Sequence, residues 1–331
     1  MPSTPTADAE HRAALAAGLD EPPSPRTAQL ARFLAHACGE GTRALIHYGS
    51  HAQRSDARPE SAHDFFIVVD RYRDAYRSLA ERVGTSYRPG TAALLNRILP
   101  PNVIRLRVPG AAPPLEAKCA VYSARDFARA CSSRARDHFA LGRLCQHVQL
   151  VWTRDAESRS AAIDALTEAR TRTFAWGRPY LPPRFDVRTY CRVLLETSFA
   201  AEIRPEGGER IDALLAAQQT TMDRVYAEVL GGLAEERILG REGNVYTDPH
   251  PPGTWSKFRA AMWFRRSKAR ATIRWIKYIA LYEDWLEYIL QKVARRSGVS
   301  VQLTDRERRW PLIFLWPKAL RFLRSRPQRR S

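Results

Sequence analysis

Two short runs near residue 50 carry side chains suited to a nucleoside triphosphate. The first, Ile46-His47-Tyr48-Gly49-Ser50, is apolar and ends in a Gly-Ser turn. The second, Asp64-Phe65-Phe66-Ile67-Val68-Val69-Asp70, opens on a carboxylate fourteen residues after the serine. Gly49 leaves no side chain between the backbone and a phosphate, and Ser50 offers a hydroxyl and a backbone N–H to phosphate oxygens. Asp64 is the candidate ligand for Mg²⁺, which favours hard oxygen donors and is held by one or two carboxylates plus substrate phosphates. Either half alone reads as an ordinary turn or a solvated strand end. The spacing, which lets two strands lie side by side with both groups at their ends, gives the pair its meaning.

The remaining elements must position these groups. Strands are expected over residues 43–48 and 63–70, the second a continuous apolar run of the buried kind. The polar loop 51–62 between them is expected to move until ligand binds. His47 and His51 flank the turn and read as structural or solvated residues. A helix over 27–38 precedes the first strand; helices near 71–83 and 90–98 follow the second, the latter ended by Pro100-Pro101. Residues 102–108 alternate as a half-exposed strand does. A further strand at 115–122 sets Glu116, Lys118 and Ala120 on one face, because side chains alternate. If that face looks at a nucleotide, Glu116 can help hold the metal and Lys118 can neutralise phosphate charge; the plainer reading is a surface ion pair at i, i+2. Helices at 124–132 and around 137–146 lead to a strand at 148–153.

Asp70 has the same parity as Asp64 but lies six residues on, about 20 Å along a strand, too far to share a metal. It reads as a strand-end residue. A second metal ligand is therefore sought first at Glu116, then at Asp56 or Glu60.

This alternation predicts an α/β (α+β) fold in several segments. Residues 1–26 read as a disordered leader and 27–154 as the catalytic domain. Residues 155–240 read as a mostly helical second domain, broken at Gly207-Gly208 and Gly231-Gly232, that covers the open face of the sheet. Residues 241–253, rich in Pro and Gly, read as a linker, and 254–331 as a basic, amphipathic region.

The charge is concentrated in that last region. The 331-residue chain carries a net +18. From Trp255 onward there are twenty basic and five acidic residues, against thirty-three and thirty in the preceding 254. A helix expected from about 269 to 296 sets Trp275, Ile276, Ile279, Tyr282, Leu286, Ile289 and Val293 on one face. The tail from Trp310 to Arg324 interleaves Leu, Ile, Phe and Trp with arginine. Such a region suits either nucleic acid or an anionic membrane surface. Leu, Ile, Phe and Trp in a tight block bury well in acyl chains and stack poorly on bases. Each basic residue near an anionic surface adds about 1 kcal/mol. This favours the membrane and makes nucleic acid the lesser partner; a helix packed on its own domain with a solvated basic face remains open.

Five dispersed cysteines, odd in number and without a C-x-x-C pair, argue for a reducing compartment and against a disulfide framework or zinc site. No apolar run approaches the roughly 20 residues of a spanning helix. The expected location is the cytoplasm, or the cytoplasmic side of the cell membrane as a peripheral protein.

The runs Tyr48-Gly49-Ser50, Asp64 to Asp70, Lys118-Cys119-Ala120-Val121-Tyr122-Ser123 and Gly142-Arg143-Leu144, in that order over roughly residues 40–205, resemble the mitochondrial translocator assembly and maintenance protein family. This is the mitochondrial-type CDP-diacylglycerol synthase, a peripheral phosphatidate cytidylyltransferase. The resemblance implies a nucleotidyltransferase-fold mixed sheet and transfer of CMP from CTP to phosphatidate with Mg²⁺. It implies Gly49 and Ser50 as the triphosphate-binding turn, Asp64 as the metal-binding acid, Lys118 as the lysine of the following strand and Arg143 as a phosphate ligand. The broader nucleotidyltransferase pattern has a second acid two residues after the first; here Phe66 stands there. The alternatives are a nucleotidyltransferase acting on RNA or protein, its basic C-terminus gripping nucleic acid, and a membrane-surface scaffold without activity.

Overall fold

A computed structural model describes residues 5–53, 61–85, 87–201 and 208–281, together with Thr304. The chain divides into two units, residues 1–278 and 279–331. In the second unit the described residues are the last three of a helix and Thr304, so the tail and the side chains of the expected apolar face from Trp275 to Val293 lie outside the described residues.

The first unit is a mixed α/β structure built on five strands: β1 (Thr42–Tyr48), β2 (His63–Val69), β3 (Asn102–Arg107), β4 (Glu116–Ser123) and β5 (Gln149–Thr153). Their order is β3-β4-β2-β1-β5; β2 and β4 run parallel and the other neighbours antiparallel. The central strand β2 and its neighbour β1 are buried on both faces, which explains why 64–70 reads as an unbroken apolar run rather than an alternation.

The helices are α1 (Pro5–Leu15), α2 (Pro25–Cys38), α3 (Ser50–Gln53), α4 (Tyr72–Arg82), α5 (Pro89–Ile98), α6 (Ala124–Cys131), α7 (Leu141–Leu144), α8 (Ala156–Thr171), α9 (Thr173–Gly177), α10 (Val187–Ala200), α11 (Gly208–Ala217), α12 (Gln219–Glu235) and α13 (Thr254–Leu281). Helices α2, α4 and α5 lie along one side of the sheet, against β1, β4 and β3. There a buried network joins α4, α5 and β3: the Asn96 and Asn102 amides donate to Tyr76 Oη at 3.0 and 2.8 Å, and Asn102 N donates to Asn96 Oδ1 at 2.7 Å. The other face, through Ile46, Tyr48, Phe66, Val68, Ala120 and Tyr122, shares one apolar core with Leu166, Tyr190, Leu194 and Tyr226 of α8, α10 and α12. Cores fill to crystal-like density, so two layers with complementary apolar faces merge. The expected catalytic and helical domains are thus a single packed body.

Four expectations are corrected. Residues 5–19 are not a disordered leader: α1 packs on α8 and α12, and Leu15 and Leu19 are buried in the core. The fully buried Arg170 donates to the carbonyls of Leu15 and Ala17 at 2.6 and 2.9 Å, so this segment satisfies a charge that would otherwise be stranded. Gly231-Gly232 does not break a helix; α12 runs through both, and the Gly232 position passes close to His11 of α1. The expected linker contains β7 (Gly240–Glu242) and β8 (Val245–Thr247), which with β6 (Arg184–Phe185) make a small antiparallel sheet. Its two-residue loop, Gly243-Asn244 with Gly243 at φ +61°, is a hairpin signal that composition alone obscured. The long helix also begins earlier than expected, at Thr254.

Candidate functional site

Strand pairing brings the two sequence runs together. Tyr48, the last residue of β1, pairs with Asp64 near the start of β2, and Asp64 pairs in turn with Lys118 on β4. Residues in register on adjacent strands share a face. Tyr48, Asp64 and Lys118 therefore form a row across three strands on the face turned to α8, α10 and α12.

Gly49 follows immediately, at φ +82°, where side chains other than glycine are strained. A Cβ here would come within 2.8 Å of Asp64 Oδ2, so the carboxylate lies directly over the turn. Ser50 opens the single turn of α3, and Gly49 O accepts from Ala52 N and Gln53 N at 2.9 and 3.1 Å. Gln53 donates to Gln146 Oε1 at 3.0 Å, fastening the turn to the chain after α7. Arg143 of α7 approaches the same end of the sheet: its guanidinium stands 4.1 Å from the Phe139 ring centroid and 6.0 Å from that of Tyr48, with Nη1 donating to Phe139 O at 2.8 Å.

Glu116 shares the face of Lys118, but its carboxylate is engaged across β3 by Arg107, which bonds Oε1, and by Arg105 at 3.5 Å. The residue opposite on a neighbouring strand is closer than the one two positions along the same strand, so the cross-strand pairs form instead of the expected i, i+2 pair with Lys118. Two arginines on Glu116 disfavour it as a metal ligand. No group of three His, Cys, Asp or Glu suited to a metal occurs among the described residues, and Asp56 and Glu60 lie outside them. Asp64 as single carboxylate, with phosphate oxygens completing the shell, still fits Mg²⁺. Asp70 is a strand-end residue, bonded by Arg43 and by Arg154 at 2.7 Å; burial opposes its ionisation, but these bonds outweigh it and lower its pKa.

Sequence reading missed His63, the residue before Asp64. On the opposite face its ring stacks on His51 at 3.9 Å between centroids, and its Nδ1 lies 3.3 Å from His47 Nε2. His47 also pairs with Gln149 Oε1 at 3.1 Å. The signal was a histidine beside each half of the motif. Burial lowers the pKa of His47 to about 4, and burial with the neighbouring His51 and His47 lowers that of His63 to about 3. His138, buried under Trp176, Trp263 and Phe264, is lowered to about 3 by burial and by the charge of Arg143.

These three groups bind protons in the unfolded chain below pH 6.5 and bind them in the folded protein only near pH 3–4. Stability should therefore be independent of them above pH 7 and fall as pH drops from 6.5 towards 4. The slope near pH 5 would reach roughly 4 kcal/mol per pH unit for three protons. Urea denaturation at successive pH values measures it. His47→Gln should flatten the slope by about one proton's worth, and a flat profile between pH 7 and 5 would contradict the assignment.

All five cysteines are free and buried, and burial drives the Cys38 and Cys145 thiols up to about 12, which removes them as nucleophiles. Among the described residues no helix is long and apolar enough to cross a membrane. Neither a protein-family model nor a curated protein matches the chain.

Proposed function

We propose that the chain is a nucleotidyltransferase that transfers CMP from CTP to phosphatidate at an anionic membrane surface, giving CDP-diacylglycerol and pyrophosphate, as a peripheral protein on the cytoplasmic side of the cell membrane. The observation that carries this reading is the row Tyr48–Asp64–Lys118 with Gly49 beneath the Asp64 carboxylate. It supports a nucleotidyltransferase-type use of the sheet, with a carboxylate, a phosphate-accepting turn and a lysine at one end of three adjacent strands.

In this mechanism Asp64 would hold Mg²⁺, which would supply charge neutralisation at the reacting phosphates. Gly49 lets the triphosphate approach the backbone, Ser50 donates to it, and Lys118 balances its charge. Arg143, against Tyr48, is a further cation for the phosphates. An oxygen of the phosphatidate phosphate bonds to the α-phosphorus as the bond to the pyrophosphate oxygen breaks. That oxygen is already ionised, so no general base is required, in keeping with histidines held neutral on the other face.

The start of α13 supports the membrane part. Trp255, Phe258, Met262 and Ile273 recur on one exposed stripe, Trp255 being 70% exposed. Lys257, Arg259, Arg265, Arg266 and Lys268 beside them are exposed as well. Met262 and Ile273 suit acyl chains and cannot stack on bases, which favours lipid over nucleic acid.

Purified protein with Mg²⁺, CTP and vesicles containing phosphatidate should release pyrophosphate and form CDP-diacylglycerol, with CTP preferred over ATP. No pyrophosphate release, or an ATP preference with RNA as acceptor, would overturn the reading.

A further inference from the structure

Away from the row of Asp64 and Lys118, the same unit holds a small solvent-open cleft lined by Arg97 of α5, Arg129 of α6, Arg136, Arg270 of α13 and Tyr122 of β4. Tyr122 lies four residues along β4 from Lys118, about 13 Å, so a triphosphate held at Lys118 does not occupy this cleft.

The charges in the cleft are not balanced. Asp137, itself buried, accepts from both Arg270, at 2.9 Å, and Arg274. Asp126, the second carboxylate, accepts from Tyr72 and Ser123 and stands 3.7 Å from Arg129. Arg97 and Arg136 are exposed and have no acidic partner among the described residues. Tyr122 is 2% exposed and lines the cleft, with no hydrogen bond from its side chain among the described residues. A phosphate suits this arrangement: its oxygens accept from several guanidinium forks at once, and its charge matches the excess of four arginines over two aspartates in the lining.

The rim adds a second property. Leu94 and Ile98, on either side of Arg97 along α5, are 58% and 63% exposed, and Ile273 is exposed one turn from Arg270. Lys277 ties α13 to the end of α5 through the carbonyls of Leu95 and Pro101 at 3.4 and 3.1 Å, so basic side chains of both helices border the cleft, and the exposed apolar ones stand on the same two helices.

We propose that this cleft binds a phosphate monoester, separately from the nucleotide site and whether or not the chain transfers CMP. The phosphate comes either from a lipid headgroup, whose acyl chains the apolar rim would meet, or from a soluble phosphate ester. The full chain carrying Arg97→Gln and Arg136→Gln tests it against a charge-matched control, Arg32→Gln with Arg224→Gln, whose residues are exposed and lie outside the cleft. All four side chains are surface groups, so both variants should melt as the wild type does; Arg136→Gln alone serves as a milder second variant. Two probes separate the sources: glycerol 3-phosphate by titration calorimetry, and sedimentation with phosphatidylcholine vesicles with or without phosphatidate.

Loss of glycerol 3-phosphate binding by about tenfold or more in the cleft variant alone supports the cleft with a soluble source. Loss of phosphatidate-dependent sedimentation alone supports it with a lipid source. Unchanged binding of both probes, or an equal loss in the control, overturns it.

Discussion

Asp64→Asn is expected to lower the rate of pyrophosphate release by on the order of 10²–10³-fold, with little change in stability. The substitution keeps the shape of a side chain at the start of β2, leaving the pairing with Tyr48 and Lys118 intact. What it removes is the negative charge over Gly49, and with it the oxygen donor a hard divalent cation requires. CTP affinity should become far less sensitive to Mg²⁺ in the variant, a change that a structural role alone would not produce. Retention of more than about a tenth of the wild-type rate would remove Asp64 from the site. Because Glu116 is engaged by Arg105 and Arg107, Glu116→Gln should act through the β3–β4 edge and affect the Mg²⁺ dependence much less.

The second large effect is expected at Gly49. Gly49→Ala places a methyl group on a backbone at φ +82° and within 2.8 Å of Asp64 Oδ2. The left-handed conformation alone costs about 1–2 kcal/mol for a residue with a Cβ, and the contact forces the carboxylate aside. Stability should fall by about 1–3 kcal/mol, and activity by more than the stability loss accounts for. The two contributions separate in a double-mutant cycle. In an Asp64→Ala background the methyl group no longer meets a carboxylate, so Gly49→Ala should cost less there, by about 0.5 kcal/mol or more. Additive urea-denaturation energies would show that the backbone conformation, not the approach of Asp64, requires the glycine.

The strands β1, β2 and β4 were legible because each is a short apolar run between turn residues, and Asp70 was correctly read as a strand end from distance along the chain. Glu116 was harder. Its own strand suggested Lys118 as partner, and only the register of β3 against β4 reveals Arg107 opposite it. The first nineteen residues carry few large apolar side chains, and a disordered reading follows from their composition. Leu15 and Leu19 become core residues because α8 and α12 present a surface that fits them and Arg170 needs the carbonyls of Leu15 and Ala17. His63 escaped notice because a histidine beside a motif gains meaning only when its stacking partners are known.

Local order in the sequence was enough to determine the strand ends, the glycine turn and the concentration of charge after Trp255, because these depend on side-chain alternation, backbone freedom and counting. Tertiary structure decided which groups meet. Lys118 joins Asp64 although fifty-four residues separate them, because a parallel β2–β4 pairing sets their register. Arg97 and Arg136 face one cleft with Arg270 only because α13 folds back over the end of α5. Spacing along a chain limits which residues can be neighbours on one element; contacts between elements follow from packing, which no single segment encodes.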